Sequence, residues 1–371
     1  MTDHPTRAVI DIAALSHNLK VIRDRIGQGR RLLAVVKANA YGHGALKVSN
    51  YLQKMGVDML GVAYTEEGVA LRKVGISLPI LVMAGTLPEQ IEIAIESDLI
   101  LAISDMDTIR ALSDMAFRMK RNVKIHIKID TGMGRLGFRF ENAVEAIVSI
   151  CSLPNVTIEG IFTHLSTSEE SDHSYTHYQT SRFRQLVESV SSHFSPLPIL
   201  HMGNSAAVIQ HPETYFDMVR VGIMLYGLAP VPELQKKLPI CPILSLKTRI
   251  IHIKNASKGS SLSYGRSYIC QSDKTIAVIP IGYSDGLARC MSGRIHVLIR
   301  GVKVPVVGTI CMDMALIDIT GLEGIRVGDE VVLIGSHGEE SITAHDWASW
   351  QGTIPYEILC AIGPRVPRIY Q

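Results

Sequence analysis

From residue 31 to residue 222 the chain alternates short apolar runs with stretches whose apolar positions recur at helical spacing. A short apolar run bounded by turn residues reads as a buried strand; apolar positions three and four apart read as one helix face. Strands are expected at 31–37, 59–64, 79–84, 99–103, 123–130, 156–164, 198–203 and 217–222. Helices are expected at 13–26, 65–74, 88–97, 105–120, 141–152 and 173–192. Eight strand–helix units in roughly 200 residues is the rhythm of a TIM-type (β/α)8 barrel. A doubly wound open sheet fits the same alternation if one or two strands are miscounted.

Past residue 230 the pattern changes. The proline-rich join APVPELQKKLPICP spans 229–242, and β-runs follow at 244–254, 274–283, 294–300, 302–310, 314–320 and 329–334, with no helical pattern until 343–362. This predicts a mainly antiparallel β domain of sandwich or barrel type. The expected division is a barrel over 1–235 and a β domain over 236–371.

Polar residues punctuate the barrel strands at one end. Lys37 ends the first strand, Lys128 and Asp130 the fifth, and His164 the sixth; Asn204 and Ser205 follow the seventh, and Arg220 and Gly222 end the eighth. Barrel active sites are built at the carboxyl ends of strands, so this recurrence predicts the site. Lys37 follows the apolar run Leu32–Val36, where desolvation disfavours an ammonium and favours a nucleophilic amine. A lysine that snorkels from a strand end is the other reading. HIKIDTGMGRLG (126–137) places three glycines and Arg135 after a strand, which suits close backbone approach to a ligand and a guanidinium to hold its carboxylate or phenolate; a tight turn is the alternative. Ser205 can cap a helix or meet a phosphate, and with the Gly222 and Ile223 amides it stands where barrels often bind phosphate. His164, in FTHLST, is either a core residue or a site residue beside Lys37 and Arg220. SYGRSY (263–268), IPIGYSDG (279–286) and GTICMDM (308–314) put tyrosines and polar groups at strand ends, where packing of the sheet explains them equally well.

Composition narrows the classes. Apolar residues make up 47% and charged residues 19%, and 37 basic against 35 acidic residues leave a net charge of +2, which argues against a polyanionic partner such as nucleic acid. No uninterrupted apolar segment is long enough for a membrane span, and the start lacks the pattern of a signal peptide. Six scattered cysteines without a CxxC pair read as reduced thiols of a cytoplasmic protein, with no metal site among them.

The ordered set AVVKANAYGHG, HIKIDTGMGRLG, FTHLST, MGNSAA, VRVGIMLYG, SYG, IPIGYSDG, ICMDM and IPYEILCAIGPRVPRIY resembles the alanine racemases, fold-type III pyridoxal-phosphate enzymes, along essentially the whole chain. The resemblance implies a head-to-tail homodimer that interconverts L- and D-alanine and supplies D-alanine for peptidoglycan. It implies that Lys37 carries pyridoxal 5'-phosphate covalently. Tyr41, Ser205, the Gly222 and Ile223 amides and Tyr356 would hold the phosphate, with Asn204 beside it. Arg220 would meet the pyridine nitrogen, and Arg135 the phenolic oxygen and the substrate carboxylate. Lys128 matches a position that can carry a carbamate. Tyr264 would be a second base, delivered by the other subunit with Met312, whose amide meets the substrate carboxylate. Tyr264, Tyr283, Arg289 and Tyr356 would line the entry corridor with Glu169, which stands where an aspartate is common; Thr309 replaces an arginine found in some relatives.

Racemisation needs bases on opposite faces of the substrate, and Lys37 and Tyr264 are the expected pair. A phenol with an ordinary pKa near 10 needs neighbouring positive charge to act near neutrality, and His164 and Arg220 are expected to supply it. A decarboxylase would be expected to set a carboxylate against the pyridine nitrogen, and a non-enzymatic cofactor carrier would lack the second domain. A serine or broad-specificity racemase stays open.

Overall fold

A computed structural model describes residues 4–371. The chain divides into two compact units, and the division is not the one drawn at residue 235. The first strand, β1 (Arg7–Ile10), pairs antiparallel with β11 (Leu244–Arg249) and parallel with β21 (Arg368–Tyr370). Residues up to Leu15 and 226–232 therefore belong with the C-terminal sheet, and Glu233–Ile240 with the barrel. The run RAVI was too short to separate from the helix that follows it, and the strands it pairs with lie over 230 residues away, so no local pattern announced the pairing.

The barrel unit closes on itself. Its strands are β2 (Arg31–Val35), β3 (Met59–Val62), β4 (Ile80–Val82), β5 (Ile100–Ile103), β6 (Val123–Asp130), β8 (Val156–Phe162), β9 (Ile199–His201) and β10 (Met218–Val221). Each pairs parallel with its neighbour, β5 with β6, and β10 returns to β2 through Val219 opposite Leu32. The two-residue β7 (Phe138–Arg139) is an extra strand on β6. All eight expected barrel strands are present, each ending at or up to two residues short of the predicted bound. His164, inside the strand expected at 156–164, lies in the loop after β8, and Asn204 lies in the loop after β9. Strand interiors such as Leu32–Leu33–Ala34 and Ile80–Leu81–Val82 are fully buried, as strands covered on both faces require. The expected helix 88–97 is a 3-10 turn at Pro88–Gln90 leading into Ile91–Glu96.

The other unit carries a mainly antiparallel sheet. The expected strand 244–254 is two strands: β11 pairs with β19 (Glu330–His337), and β12 (His252–Ala256) pairs with β15 (Lys274–Ile279). β15 continues to β18 (Ala315–Asp318), β17 (Val302–Val307) and β16 (His296–Ile299). A two-stranded ribbon, β13 (Ser261–Leu262) with β14 (Tyr268–Ile269), stands apart from the sheet. Among the described residues no helix is long and apolar enough to cross a membrane, and none of the six cysteines forms a disulfide.

Candidate active site

The segment after β2 is the most strained backbone in the barrel. Ala38, Asn39, Ala40 and Tyr41 all have φ between 51° and 54°, a left-handed turn built from four non-glycine residues. Each such residue costs on the order of 1–2 kcal/mol, so the turn needs fixing from outside. The Ala40 amide donates to Val36 O at 2.8 Å and the Gly44 amide to Asn39 O at 2.9 Å. Glu67, on helix Thr65–Lys73, does the rest. One carboxylate oxygen accepts from the Ala38 amide at 2.6 Å, and the other from the Ala63 and Tyr64 amides at 2.7 and 3.3 Å. The turn sets Lys37 half-buried at the strand end and buries Tyr41. Glu67 was not among the expected residues; its only signal was a glutamate at the third position of a helix, where capping boxes place one.

Arg220 sits inside the barrel, 4% exposed, and is held by four acceptors. Nη2 donates to Thr163 O at 2.7 Å, to Met202 O at 3.0 Å and to His164 Nδ1 at 3.2 Å; Nη1 donates to His201 Nδ1 at 3.1 Å. Burial pushes its guanidinium down to about 9, which still leaves it charged at neutral pH. Because arginine only donates, the protons of its neighbours are ordered. His201 Nε2 must donate to His126 Nδ1 at 2.7 Å, and His126 Nε2 then points toward Glu159, 3.5 Å away. Gly160 makes room for this chain, since a Cβ there would meet His126 Nδ1 at 2.5 Å. The Phe162 ring stacks on His201 at 4.7 Å, with the Arg220 guanidinium 5.2 Å and the Lys128 amine 5.6 Å from its centre, within cation–π range.

These contacts correct one expectation. Desolvation first, then Arg220, Arg135, Lys128 and Lys37, hold the His164 imidazole well below its ordinary pKa. His164 is therefore neutral near pH 7 and supplies no positive charge; its Nδ1 is spent accepting from Arg220. Of the two expected cations, only Arg220 carries charge.

Lys128 is 7% exposed on β6. Burial, followed by the charges of Arg135, Arg220 and Lys37, lowers its amine to about 8. Lys37, Lys128, Arg135, His164 and Arg220 thus share one electrostatic neighbourhood, in which Asp130 is the nearby carboxylate that opposes the depression. Asp130 is itself bound to the Gly132 and Gly134 amides at 2.9 Å each, shaping the loop that presents the exposed Arg135.

Ser205 Oγ accepts from the Gly222 amide at 3.1 Å, and a Cβ on Gly222 would meet the Tyr41 hydroxyl at 2.4 Å. Ser205, Gly222 and Tyr41 are therefore in contact, with Ile223 fully buried beside them in the chain. Asn204 caps its helix through the Ala207 amide at 3.0 Å and takes a bond from Ser168 Oγ at 2.9 Å; the same hydroxyl reaches Glu169 at 3.2 Å. Gln179 is a second unexpected residue. Fully buried on helix Ser174–Val190, it joins Thr131, His164 O and Ser166, and so ties the loops after β6 and β8 together.

The remaining expected residues lie in the other unit. Tyr264 is 69% and Met312 52% exposed. Tyr264 is carried between β13 and β14 by Ser263, Gly265 and Arg266, all at positive φ. Thr309 Oγ1 donates to Tyr264 O at 3.2 Å and bonds with Ser267 Oγ at 2.8 Å. Ser284 Oγ donates to Met312 O at 2.7 Å, and the Tyr283 amide to Cys311 O at 3.0 Å. Gly282 is obligatory here, since a Cβ would meet Cys311 O and Met312 O at 2.2 Å. Arg365 ties the same corner through Asp285 and Asp313 at 2.9 and 2.8 Å. Tyr264, Tyr283 and Met312 are thus presented by three interlocked loops. Arg289 is exposed in the turn Arg289–Met291, and Tyr356 is half-buried on helix Pro355–Cys360.

Residues 10–230 match the model of the alanine racemase N-terminal domain and residues 243–370 that of the C-terminal domain. The chain belongs to the alanine racemase family. It is 42% identical to the alanine racemase of Halothermothrix orenii over 99% of this chain and 97% of that one. Among solved structures, an alanine racemase of Clostridium difficile 630 superposes on this chain with a TM-score of 0.96 at 38% identity, covering 100% of this chain and 97% of that one. A histidine racemase from Leuconostoc mesenteroides superposes with a TM-score of 0.90 at 29% identity over 100% and 99% of the two chains.

Proposed function

We propose that this protein interconverts L- and D-alanine in the cytoplasm, with pyridoxal 5'-phosphate bound by the barrel unit and Tyr264 supplied by a second copy of the chain. The crowding of cations at the barrel's strand ends carries the reading. Lys37, Lys128, Arg135 and Arg220 share a neighbourhood where one carboxylate opposes them, Lys128 and Arg220 are buried there, and such crowding favours an anionic occupant. A phosphorylated pyridine aldehyde fits. The close contact of Gly222, Tyr41 and Ser205 suits its phosphate, Arg220 its ring nitrogen, and Lys37 its aldehyde.

Lys37 would hold pyridoxal 5'-phosphate covalently, and the cofactor would supply an electron sink that makes the substrate α-proton acidic. The residues of this chain do the rest. Arg220, fixed by four acceptors and charged, leaves a ring nitrogen facing it without a proton and so limits charge build-up that leads to side reactions. Arg135 and the Met312 amide hold the substrate carboxylate. Lys37 Nζ takes or returns the α-proton on one face and the Tyr264 hydroxyl on the other. Lys128, with its amine lowered to about 8, has enough neutral form to add carbon dioxide, losing a proton and becoming an anionic carbamate beside Arg135. The exposed Tyr264 and Met312 are what a surface awaiting a partner presents, and this supports the homodimer.

The test is incubation of purified protein with L-alanine, L-serine, L-lysine and L-histidine, followed by chiral analysis and by size measurement in solution. D-alanine formation, with borohydride fixing the cofactor on Lys37, is expected. Carbon dioxide release would indicate a decarboxylase; bound cofactor without turnover would indicate a carrier. The likeness to a histidine racemase makes larger side chains a necessary arm of the experiment.

A further inference from the structure

The cysteines offered no metal site, but a histidine cluster on the barrel does. His173 and His177 lie one turn apart where helix Ser174–Val190 begins, and His211 and Glu213 follow helix Ser205–Gln210. One ligand atom each from His177, His211 and Glu213 lies within 4.8 Å of the other two. Glu213 Oε1 is 3.2 Å from His211 Nδ1 and 3.6 Å from His177 Nε2. Bonds of about 2.0–2.2 Å in a tetrahedron place ligand atoms roughly 3.3–3.6 Å apart, so two of the three edges already fit. The third closes by rotation of His177, whose side chain is 62% exposed. The His173 ring centre is 4.6 Å from that of His211, which places a fourth imidazole at hand. His211 is 1% exposed and its Nδ1 lies within hydrogen-bond distance of Glu213 Oε1, so packing holds this pair of ligands together.

We propose that His177, His211 and Glu213, with His173 or water in the fourth position, form a binding site for a borderline divalent cation of the zinc, cobalt or nickel class. Imidazole nitrogen with one carboxylate is the donor set such ions prefer over magnesium or calcium. The ion would cross-link the start of helix Ser174–Val190 to the segment 211–213. That helix and that segment are already joined where Arg184 Nη2 donates to Glu213 O at 3.1 Å. Since the same helix carries Gln179, occupancy would stiffen the loops after β6 and β8 and raise the melting temperature.

The site is tested by calorimetric titration of the holoenzyme with Zn2+ and by absorption spectroscopy with Co2+. The exposed thiols Cys151, Cys241, Cys290 and Cys360 are first blocked by alkylation. One ion per chain is expected, with cobalt bands of nitrogen and oxygen ligation and no thiolate charge transfer. His177→Ala and Glu213→Gln should each weaken binding at least tenfold, and His177→Ala should leave metal-free turnover unchanged. Saturable binding that is equally tight in both variants, or no saturable binding in the parent, would overturn the assignment. So would cobalt spectra dominated by sulfur.

Discussion

The two halves of the expected machinery are built in opposite ways. In the barrel, Lys128, His201 and Arg220 are buried, and every donor of Arg220 named above has a fixed acceptor. In the other unit, Tyr264 and Met312 stand mostly in solvent on loops bonded chiefly to one another. Buried charge has to be organised by its own unit, because an unpaired donor there costs about 1–3 kcal/mol or more. An exposed phenol carries no such penalty, so its surroundings can come from another molecule. In the dimer proposed above, the barrel would set the electrostatics and the partner's tyrosine platform would complete them.

The comparison breaks most sharply at Lys37. On the proposed reading Lys37→Ala removes both the covalent anchor and one proton carrier, and racemisation should fall roughly 10⁴-fold or more in both directions. Chiral analysis checks this, and a variant retaining more than a few per cent of parent activity would place the chemistry elsewhere. Tyr264→Phe removes only one proton carrier, with a loss of about 10²–10⁴-fold. Its signature is asymmetry: uptake of solvent deuterium should drop far more from one enantiomer of alanine than from the other, while cofactor stays bound. Equal loss from both enantiomers would deny Tyr264 its face.

Much of this was readable in the residues. The eight barrel strands and the polar groups at their ends followed from a local rule, that apolar runs are buried and polar residues gather where the run stops. What escaped depends on long-range partners. The strand RAVI joins residues 244–249 and 368–370, and no window of sequence holds both. The charge of His164 depends first on its burial and then on four cations from other strands and loops, so its residue type alone suggested a cation where the fold makes a neutral acceptor. The turn after Lys37 looked like a glycine loop because Gly42 and Gly44 are visible. Its left-handed residues are Ala38–Tyr41, and the glutamate that holds them lies on the next helix.

Lys128 sharpens the barrel side of the comparison. Its amine is lowered to about 8 in the folded protein, so between that value and the ordinary lysine pKa the unfolded chain binds more protons. Stability therefore rises with pH across that window, and below about pH 8 the full penalty of a buried cation is present. Lys128→Met should stabilise cofactor-free protein at pH 7 by up to about 3 kcal/mol and flatten the rise between pH 8 and 10. Denaturant unfolding in carbon dioxide-free buffer measures both. Bicarbonate should narrow the gap if the parent lysine becomes a carbamate; an unchanged gap would leave Lys128 an ordinary buried amine.

The smallest effect belongs to Glu67. Its two oxygens accept three amides, from Ala38, Ala63 and Tyr64. Glutamine keeps one of those oxygens and turns an NH2 group toward an amide that also donates. Glu67→Gln should therefore cost about 1–3 kcal/mol in the turn, because a satisfied donor is left without an acceptor. If the strained turn exists to aim Lys37, that loss appears as roughly tenfold slower racemisation and weaker cofactor retention. Glu66→Gln is the control: Glu66 accepts from Gln90 at 2.7 Å and touches neither β2 nor the turn through that bond. Should both substitutions slow the enzyme alike, the effect would come from the helix rather than from the turn. The strain beside Lys37 would then be a property of the backbone that the reaction does not use.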